Sequence, residues 1–260
     1  MGADLPISAL VLARDETREL AALIPALGFA REVVVVWDAR GSAETRALAE
    51  RLGARVFARP LDGFGAQRQF ALAQCSAPWV LWIDADERLD ETALSALRAR
   101  LGSAAPEESG FAIERHAYFL GRRIRHCGWQ GESVLRVFRR EHARFDDAAV
   151  HEHVLVHGRV TRLGGALEHH SYPSWTDCVR KLTAYAQAGA QQARRAGRRA
   201  RALDVILRPP GRFLRMYLLQ LGCLDGLHGF LLCALAAVQV FLKYAELWSA
   251  RHDGAEREAR

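Results

Sequence analysis

The chain has 260 residues, half of them apolar and a quarter charged, and its formal net charge is +6. That balance supports a packed core, excludes a mainly disordered chain, and at this length allows one sizeable α/β domain with appendages or two small domains. The five cysteines, Cys75, Cys127, Cys178, Cys223 and Cys233, form no CxxC pair and no metal-type spacing with histidine, so they read as small buried hydrophobes in a reducing compartment.

The first hundred residues alternate short β-rich runs with helical patterns, which predicts βα units feeding a mostly parallel sheet. Ile7 to Leu12 is the first expected strand, and Thr17 to Leu27 the first helix. Glu32 to Trp37, with four consecutive valines, is a second strand whose continuous apolar run suits burial on both faces. A helix from Ala43 to Leu52 closes at Gly53, Arg55 to Phe57 is a short third strand, and Ala66 to Gln74 a third helix. Trp79 to Ile83 is the fourth strand and runs straight into Asp84-Ala85-Asp86-Glu87; Asp90 then caps a helix that continues to Leu101 and stops at Gly102.

From Phe111 to about His170 the pattern breaks into short aromatic-rich β segments, such as Phe111 to Arg115 and Val134 to Phe138. From Trp175 onward it is helical, with one interruption at Pro209-Pro210-Gly211. The expected division is therefore 1–110, 111–172 and a helical, basic region at 173–260. Leu227 to Leu242 holds no charged residue. As a helix those residues cover roughly 24 Å, short of the ~30 Å hydrocarbon core of a bilayer, so the segment is expected to lie in or against a membrane, or against the rest of the chain. The run Arg194-Arg195-Ala196-Gly197-Arg198-Arg199-Ala200-Arg201 points to a surface of phosphates, or to a solvated helix face. Its near lack of aromatics counts against nucleic acid. The N-terminus has no basic stretch followed by an apolar run, so no secretory signal is expected and the catalytic part should stay in the cytoplasm.

The strongest chemical signal is Asp84-Ala85-Asp86 directly after a buried strand, because ligands of open α/β sheets gather outside the carboxyl ends of the strands. Two carboxylates at i and i+2 suit a hard cation such as Mg²⁺ or Mn²⁺, which would bridge diphosphate oxygens. Asp38 ends the second strand, and Asp15 and Glu16 follow the first; an acid there can accept from a ribose hydroxyl or a base N–H, or merely cap a helix or turn. His151, His169 and His170 read equally as structural. No GxGxxG follows the first strand, which disfavours a dinucleotide enzyme.

Strand, Arg14-Asp15-Glu16, strand with Asp38, Gly63-Phe64-Gly65-Ala66-Gln67-Arg68-Gln69-Phe70-Ala71, then Trp79 to Glu87, resembles family 2 glycosyltransferases. With Gly128-Trp129, Leu135-Arg136-Val137-Phe138, Val150-His151-Glu152 and the tail Gly222-Cys223-Leu224-Asp225-Gly226 to Lys243-Tyr244-Ala245-Glu246-Leu247-Trp248, the chain is similar to the bacterial lipopolysaccharide core β-1,4-glucosyltransferases. Members usually carry Lys-Asn-Glu where this chain has Arg14-Asp15-Glu16, and Asp-Ser-Gly-Ser-Thr-Asp where it has Asp38-Ala39-Arg40-Gly41-Ser42-Ala43.

The resemblance implies an α/β GT-A fold, a Rossmann-like mostly parallel sheet with a mixed acceptor-side half, followed here by the helical tail. It further implies a UDP-sugar donor, Mg²⁺ or Mn²⁺ on Asp84 and Asp86, Arg68 at the donor diphosphate, and inverting transfer of a sugar, glucose by analogy, to a lipid-linked saccharide on the inner face of the cytoplasmic membrane. The general base that inversion requires falls on Glu132, in the family's acidic position after Gly128-Trp129, with Glu152 next. Alternatives are a polyprenyl-phosphate glycosyltransferase of the same fold and a non-enzymatic basic protein that binds membrane or nucleic acid.

Overall fold

The computed structural model describes residues 5–103, 105, 107–146 and 154–258, with side chains except at 64 and 251–258. The candidate base Glu152 lies outside the described residues. The chain divides into two compact units, one of residues 1–115 and 131–169, the other of 116–130 and 170–260.

In the first unit β1 (Leu5–Ala13), α1 (Thr17–Ala26), β2 (Ala30–Asp38), α2 (Ala43–Arg51), β3 (Arg55–Arg59), α3 (Phe64–Gln74) and β4 (Trp79–Trp82) follow the predicted alternation. A strand the sequence did not announce, β5 (Glu87–Leu89), comes next, then α4 (Glu91–Ser103), which begins where Asp90 accepts the Ala93 N–H at 2.6 Å. The remaining strands are β6 (Glu108–Phe119), β7 (Arg122–Arg123), β8 (Ser133–Arg139), β9 (Ala143–Phe145), β10 (Val154–Val156) and β11 (Arg159–Tyr172).

Among the described residues nine strands form one sheet, in the order β3-β2-β1-β4-β8-β6-β11-β5 with β7 on β6, while β9 and β10 pair separately. The strands β3, β2, β1 and β4 are parallel, and β8 joins β4 antiparallel. The chain therefore steps outward from β1 to β3 and then returns to the other side of β1, which makes a topological switch point between β1 and β4.

Alternation sorts the core. Ile7, Ala9 and Val11 of β1 face one side, with Leu81 of β4, Leu20 and Leu23 of α1 and Leu97 of α4. Leu10 faces the other side, with Val34, Val36, Val80 and Trp82, against Ala71 and Leu72 of α3 and Phe145 of β9. The four-valine run thus feeds both faces, as a strand buried on both sides must.

In the second unit the helices are α5 (Trp175–Arg195), α6 (Ala202–Leu214) and α7 (Gly226–Glu258). Ser174 caps α5 by accepting the Asp177 N–H at 3.1 Å, and Cys178, Leu182, Ala186, Ala190 and Ala193 make its buried stripe. The expected break at Pro209-Pro210-Gly211 is not where the helix ends: α6 runs through both prolines, and a π-helical turn at Arg215–Leu219 and a 3-10 turn at Gly222–Asp225 lead into α7. Proline holds its own φ near the helical value, so the pair costs α6 two backbone donors without reversing the chain. The uncharged segment 227–242 is only part of α7. The stretch Gly222–Ala250, 29 residues containing an 18-residue window of mean hydropathy 1.7, is long and apolar enough to cross a membrane by length and composition.

At the edge where the parallel strands begin, Glu32 ties four segments together. It accepts from Ser8 Oγ of β1 at 2.6 Å, from Ser76 N and Oγ ahead of β4 at 2.6 and 2.8 Å, and from Arg55 of β3. Partial burial raises its pKa, but these hydrogen bonds outweigh it and bring the carboxyl down to about 2. The folded pKa lies below the unfolded one, so the contribution is complete above the ordinary glutamate range and is lost as pH falls through that range toward about 2. Glu32→Gln is expected to lower stability at neutral pH by about 1–3 kcal/mol. Urea denaturation followed across acidic pH should show the gap from wild type closing as pH falls.

Candidate active site

The carboxyl ends of β1 and β4 carry the loops 14–16 and 84–86, on the two sides of the switch point where an open α/β sheet binds ligands. β8 enters the same edge from the opposite direction, because Trp79 at the start of β4 pairs with Arg139 at the end of β8. Glu132, directly ahead of β8, therefore lies on the side of the sheet where β4 releases Asp84.

The turn after β4 is built around buried Glu87. One carboxylate oxygen accepts the Asp84 N–H at 3.0 Å, and the other accepts from Arg136 Nη2 at 2.6 Å. The same guanidinium nitrogen donates to Asp84 Oδ2 at 2.8 Å. Burial by itself lowers the pKa of Arg136, but the charges and hydrogen bonds of Asp84 and Glu87 raise it further, so the guanidinium stays charged. Arg88 fastens the turn from outside, donating to the Ala85 carbonyl and to the Glu19 carbonyl of α1, each at 2.9 Å.

The two carboxylates of the motif are thereby given different surroundings. Asp84 is held by Arg136, whereas Asp86 Oδ1 lies 3.4 Å from His169 Nε2 on β11. The register His169↔Glu87 between β11 and β5 brings that histidine to the turn. Among the described residues no group of three or more His, Cys, Asp or Glu is arranged to hold a metal ion.

In the loops after β1 and β2, Glu16 turns back on its own loop, accepting the Arg14 and Asp15 N–H groups at 2.6 and 3.0 Å, and Asp15 Oδ1 accepts the Ser42 N–H at 2.7 Å. Asp38 is buried and gripped by Arg40, whose Nε and Nη2 meet its two oxygens at 3.1 and 3.2 Å, while Leu61 N–H adds a bond at 3.1 Å. Arg40 outweighs the effect of burial and holds the Asp38 carboxyl down to about 2. A side chain at Gly41 would strike the Arg14 carbonyl, so glycine is what lets the two loops touch. Arg68 on α3 lies with its guanidinium 4.4 Å from the centre of the Trp82 ring, and Arg136 lies 4.2 Å from the same ring. Glu132 is half-exposed and ion-paired with Arg115.

Sequence reasoning singled out the aspartates and missed Glu87, Arg136 and His169. Arg136 carried one signal: it is a charged residue among apolar ones in Leu135-Arg136-Val137-Phe138, and where such a charge is buried it needs a partner.

Residues 18–150 match the family described as Glycosyl transferase family 2. The chain belongs to that family. The parallel half and the mixed half of its sheet are those of the α/β GT-A fold the resemblance implied, and a helical tail follows in the chain. It is 34% identical to the lipopolysaccharide core biosynthesis glycosyltransferase LpsC of Rhizobium meliloti, over 95% of this chain and 93% of that one. An uncharacterized glycosyltransferase of Rickettsia typhi is 23% identical over 93% of this chain and 86% of its own. Among solved structures, glucosyl-3-phosphoglycerate synthase from Mycobacterium tuberculosis, in complex with Mn²⁺, UDP and glucosyl-3-phosphoglycerate, is 20% identical with a TM-score of 0.39. That match covers 53% of this chain, which spans 57% of that enzyme's length.

Within this family 2 enzyme, Arg136 is the counter-charge for the motif. Removing it leaves a buried carboxylate without compensation, so Arg136→Leu is expected to cost about 3–5 kcal/mol. The double variant Arg136→Leu, Glu87→Gln should recover part of that loss in chemical denaturation; an additive result would show that Glu87 does not depend on Arg136.

Proposed function

We propose that the chain is an inverting glycosyltransferase that moves a sugar, glucose by analogy, from a UDP-sugar to a lipid-linked saccharide of the lipopolysaccharide inner core. The observation that carries this reading is the division of labour at the turn after β4. Arg136 secures Asp84, and Asp86 stands beside His169 at the switch point of a family 2 sheet. The likeness to LpsC along nearly the whole chain supports the acceptor class. In this reading the protein works on the cytoplasmic face of the bacterial inner membrane, as a peripheral enzyme.

In this reading Asp86 and His169, with Asp84 beside them, would hold Mg²⁺ or Mn²⁺. Bound there, the ion neutralises the charge that builds on the leaving UDP. Asp84, held by Arg136, orients the donor, and Arg68 reaches the diphosphate from α3. Asp15 and the Asp38–Arg40 pair shape the nucleoside side; both Asp38 oxygens are engaged by Arg40, so the pair meets the base as a unit. Glu132 takes the proton from the acceptor hydroxyl as that oxygen attacks the anomeric carbon opposite the diphosphate, and the bond to the diphosphate breaks with inversion. Glu152 is the second candidate for that role. A second reading, transfer to a polyprenyl phosphate, is favoured by one observation, the membrane-length apolar stretch Gly222–Ala250.

Calorimetric titration with UDP, GDP and CMP in the presence of Mn²⁺ separates donor classes, with UDP expected to bind tightest. Asp86→Ala and His169→Ala should each abolish the Mn²⁺-dependent part of UDP affinity. Glu132→Gln should leave UDP binding unchanged and reduce turnover on the order of a hundredfold or more. Weakened UDP affinity in Glu132→Gln would assign that residue to the donor instead, and unchanged turnover would move the base to Glu152.

A further inference from the structure

An amphipathic helix in a water-soluble unit turns its apolar stripe inward. α6 does the reverse. It has no buried residue along its length, and its apolar side chains Leu203, Ile206, Leu207 and Leu214 are each more than half exposed. Their spacing puts them on one side of the helix. The same exposure continues through the turn into α7, with Leu218, Leu219, Leu224 and Leu227 all more than half exposed and Leu219 reaching 81%.

The turn itself shows that this is more than scattered surface leucine. Leu221 has a left-handed backbone, φ 56°, with its side chain 48% exposed. Glycine or asparagine would sit there with less strain and greater solubility, so leucine at that point carries two costs in water. A contiguous apolar surface of this kind marks a contact with something apolar.

Charge decides what that something is. Between residues 194 and 224 the chain carries eight arginines and a single acid, Asp204. Asp204 is already engaged within α6, accepting the Arg201 N–H at 2.9 Å and pairing with Arg208 at 2.6 Å. An apolar stripe flanked by arginine is the composition of a helix lying in the interface of a membrane with negative headgroups.

We propose that the outward face of α6, continued by the turn into α7, docks this chain on an anionic lipid bilayer, with the leucines in the acyl boundary and Arg198, Arg199, Arg201, Arg212 and Arg215 among the headgroups. The proposal deepens the reading of a membrane-held acceptor by naming the surface that reaches the membrane. It differs from anchoring by the apolar core of α7.

Flotation of the full chain with vesicles tests it. Wild type should float with phosphatidylcholine vesicles containing phosphatidylglycerol, much less with pure phosphatidylcholine, and less at high salt. The variant Ile206→Ser, Leu207→Ser, Leu214→Ser, altered only at exposed or solvent-side positions, should bind anionic vesicles at least about tenfold more weakly while keeping its circular dichroism and its Mn²⁺-dependent UDP affinity. The variant Val238→Ser, Phe241→Ser, on the exposed side of α7, should float like wild type. A tryptophan at the tip, Leu219→Trp, should shift its emission to the blue when anionic vesicles are added. Release of the α7 variant with retention of the α6 variant would overturn the proposal in favour of α7. Failure of wild type to float, with self-association in vesicle-free buffer abolished by the α6 substitutions, would overturn it in favour of a second copy of the chain. UDP affinity measured on the same samples keeps the outcome separate from the proposed reaction: loss of flotation with intact UDP affinity concerns only the membrane surface.

Discussion

The guanidinium of Arg136 holds together the turn after β4, on which the candidate active site rests. Asp84, Asp86 and Glu87 lie within four consecutive residues at the end of a buried strand, and Glu87 has no exposed surface at all. Carboxylates in that position repel one another and lose their hydration, so without a buried cation they would take up protons or unfold the turn. Arg136 arrives from the antiparallel strand β8 and meets both Asp84 and Glu87. The ladder between β4 and β8 therefore does more than extend the sheet, because it brings the turn its counter-charge. Asp86 is left to His169, which the β5–β11 pairing brings in from the far side of the sheet order.

The loops after β1 and β2 show a different strategy. Their acids are committed locally: Glu16 caps its own loop, Asp15 holds the Ser42 amide, and Asp38 is clamped by Arg40. These are the segments where the chain departs from its family's usual residues, and the structure gives the departures a physical sense. Arg40 supplies a cation that neutralises Asp38 on the spot, while Gly41 removes the side chain that would separate the two loops. This edge of the sheet presents an ion pair rather than an open carboxylate.

The second unit is organised by helix faces. α5 buries a stripe of small residues and packs with α7, which also packs with α6. Small side chains allow helices to approach closely, and Ala193 and Ala200 share a cluster with Leu247. α6 contributes its apolar stripe to none of this, while its Arg208 turns to the Tyr244 ring of α7. A helix that keeps its leucines in water relinquishes the burial energy that stabilises its neighbours. Its other side packs on α7.

The sequence by itself determined the alternation of strands and helices through the fourth strand, because hydrophobic period and capping are local properties that survive in any compact arrangement. It also marked Asp84 and Asp86, since a pair of acids after an apolar strand announces itself without reference to the rest of the chain. It placed a break at Pro209-Pro210 that the helix does not make, and it bounded the apolar tail at 227–242 inside a much longer helix. Neighbouring helices, which composition does not display, hold both segments in their observed form. Only the tertiary structure decided that Glu87 is buried beneath the motif, that Arg136 pairs with it across 49 positions of sequence, and that His169 stands next to Asp86. Those contacts are made by strand register, and register depends on which strands lie side by side. The direction in which α6 turns its leucines was undecidable for the same reason: periodicity shows that a helix has an apolar face, and only packing shows whether the protein covers it.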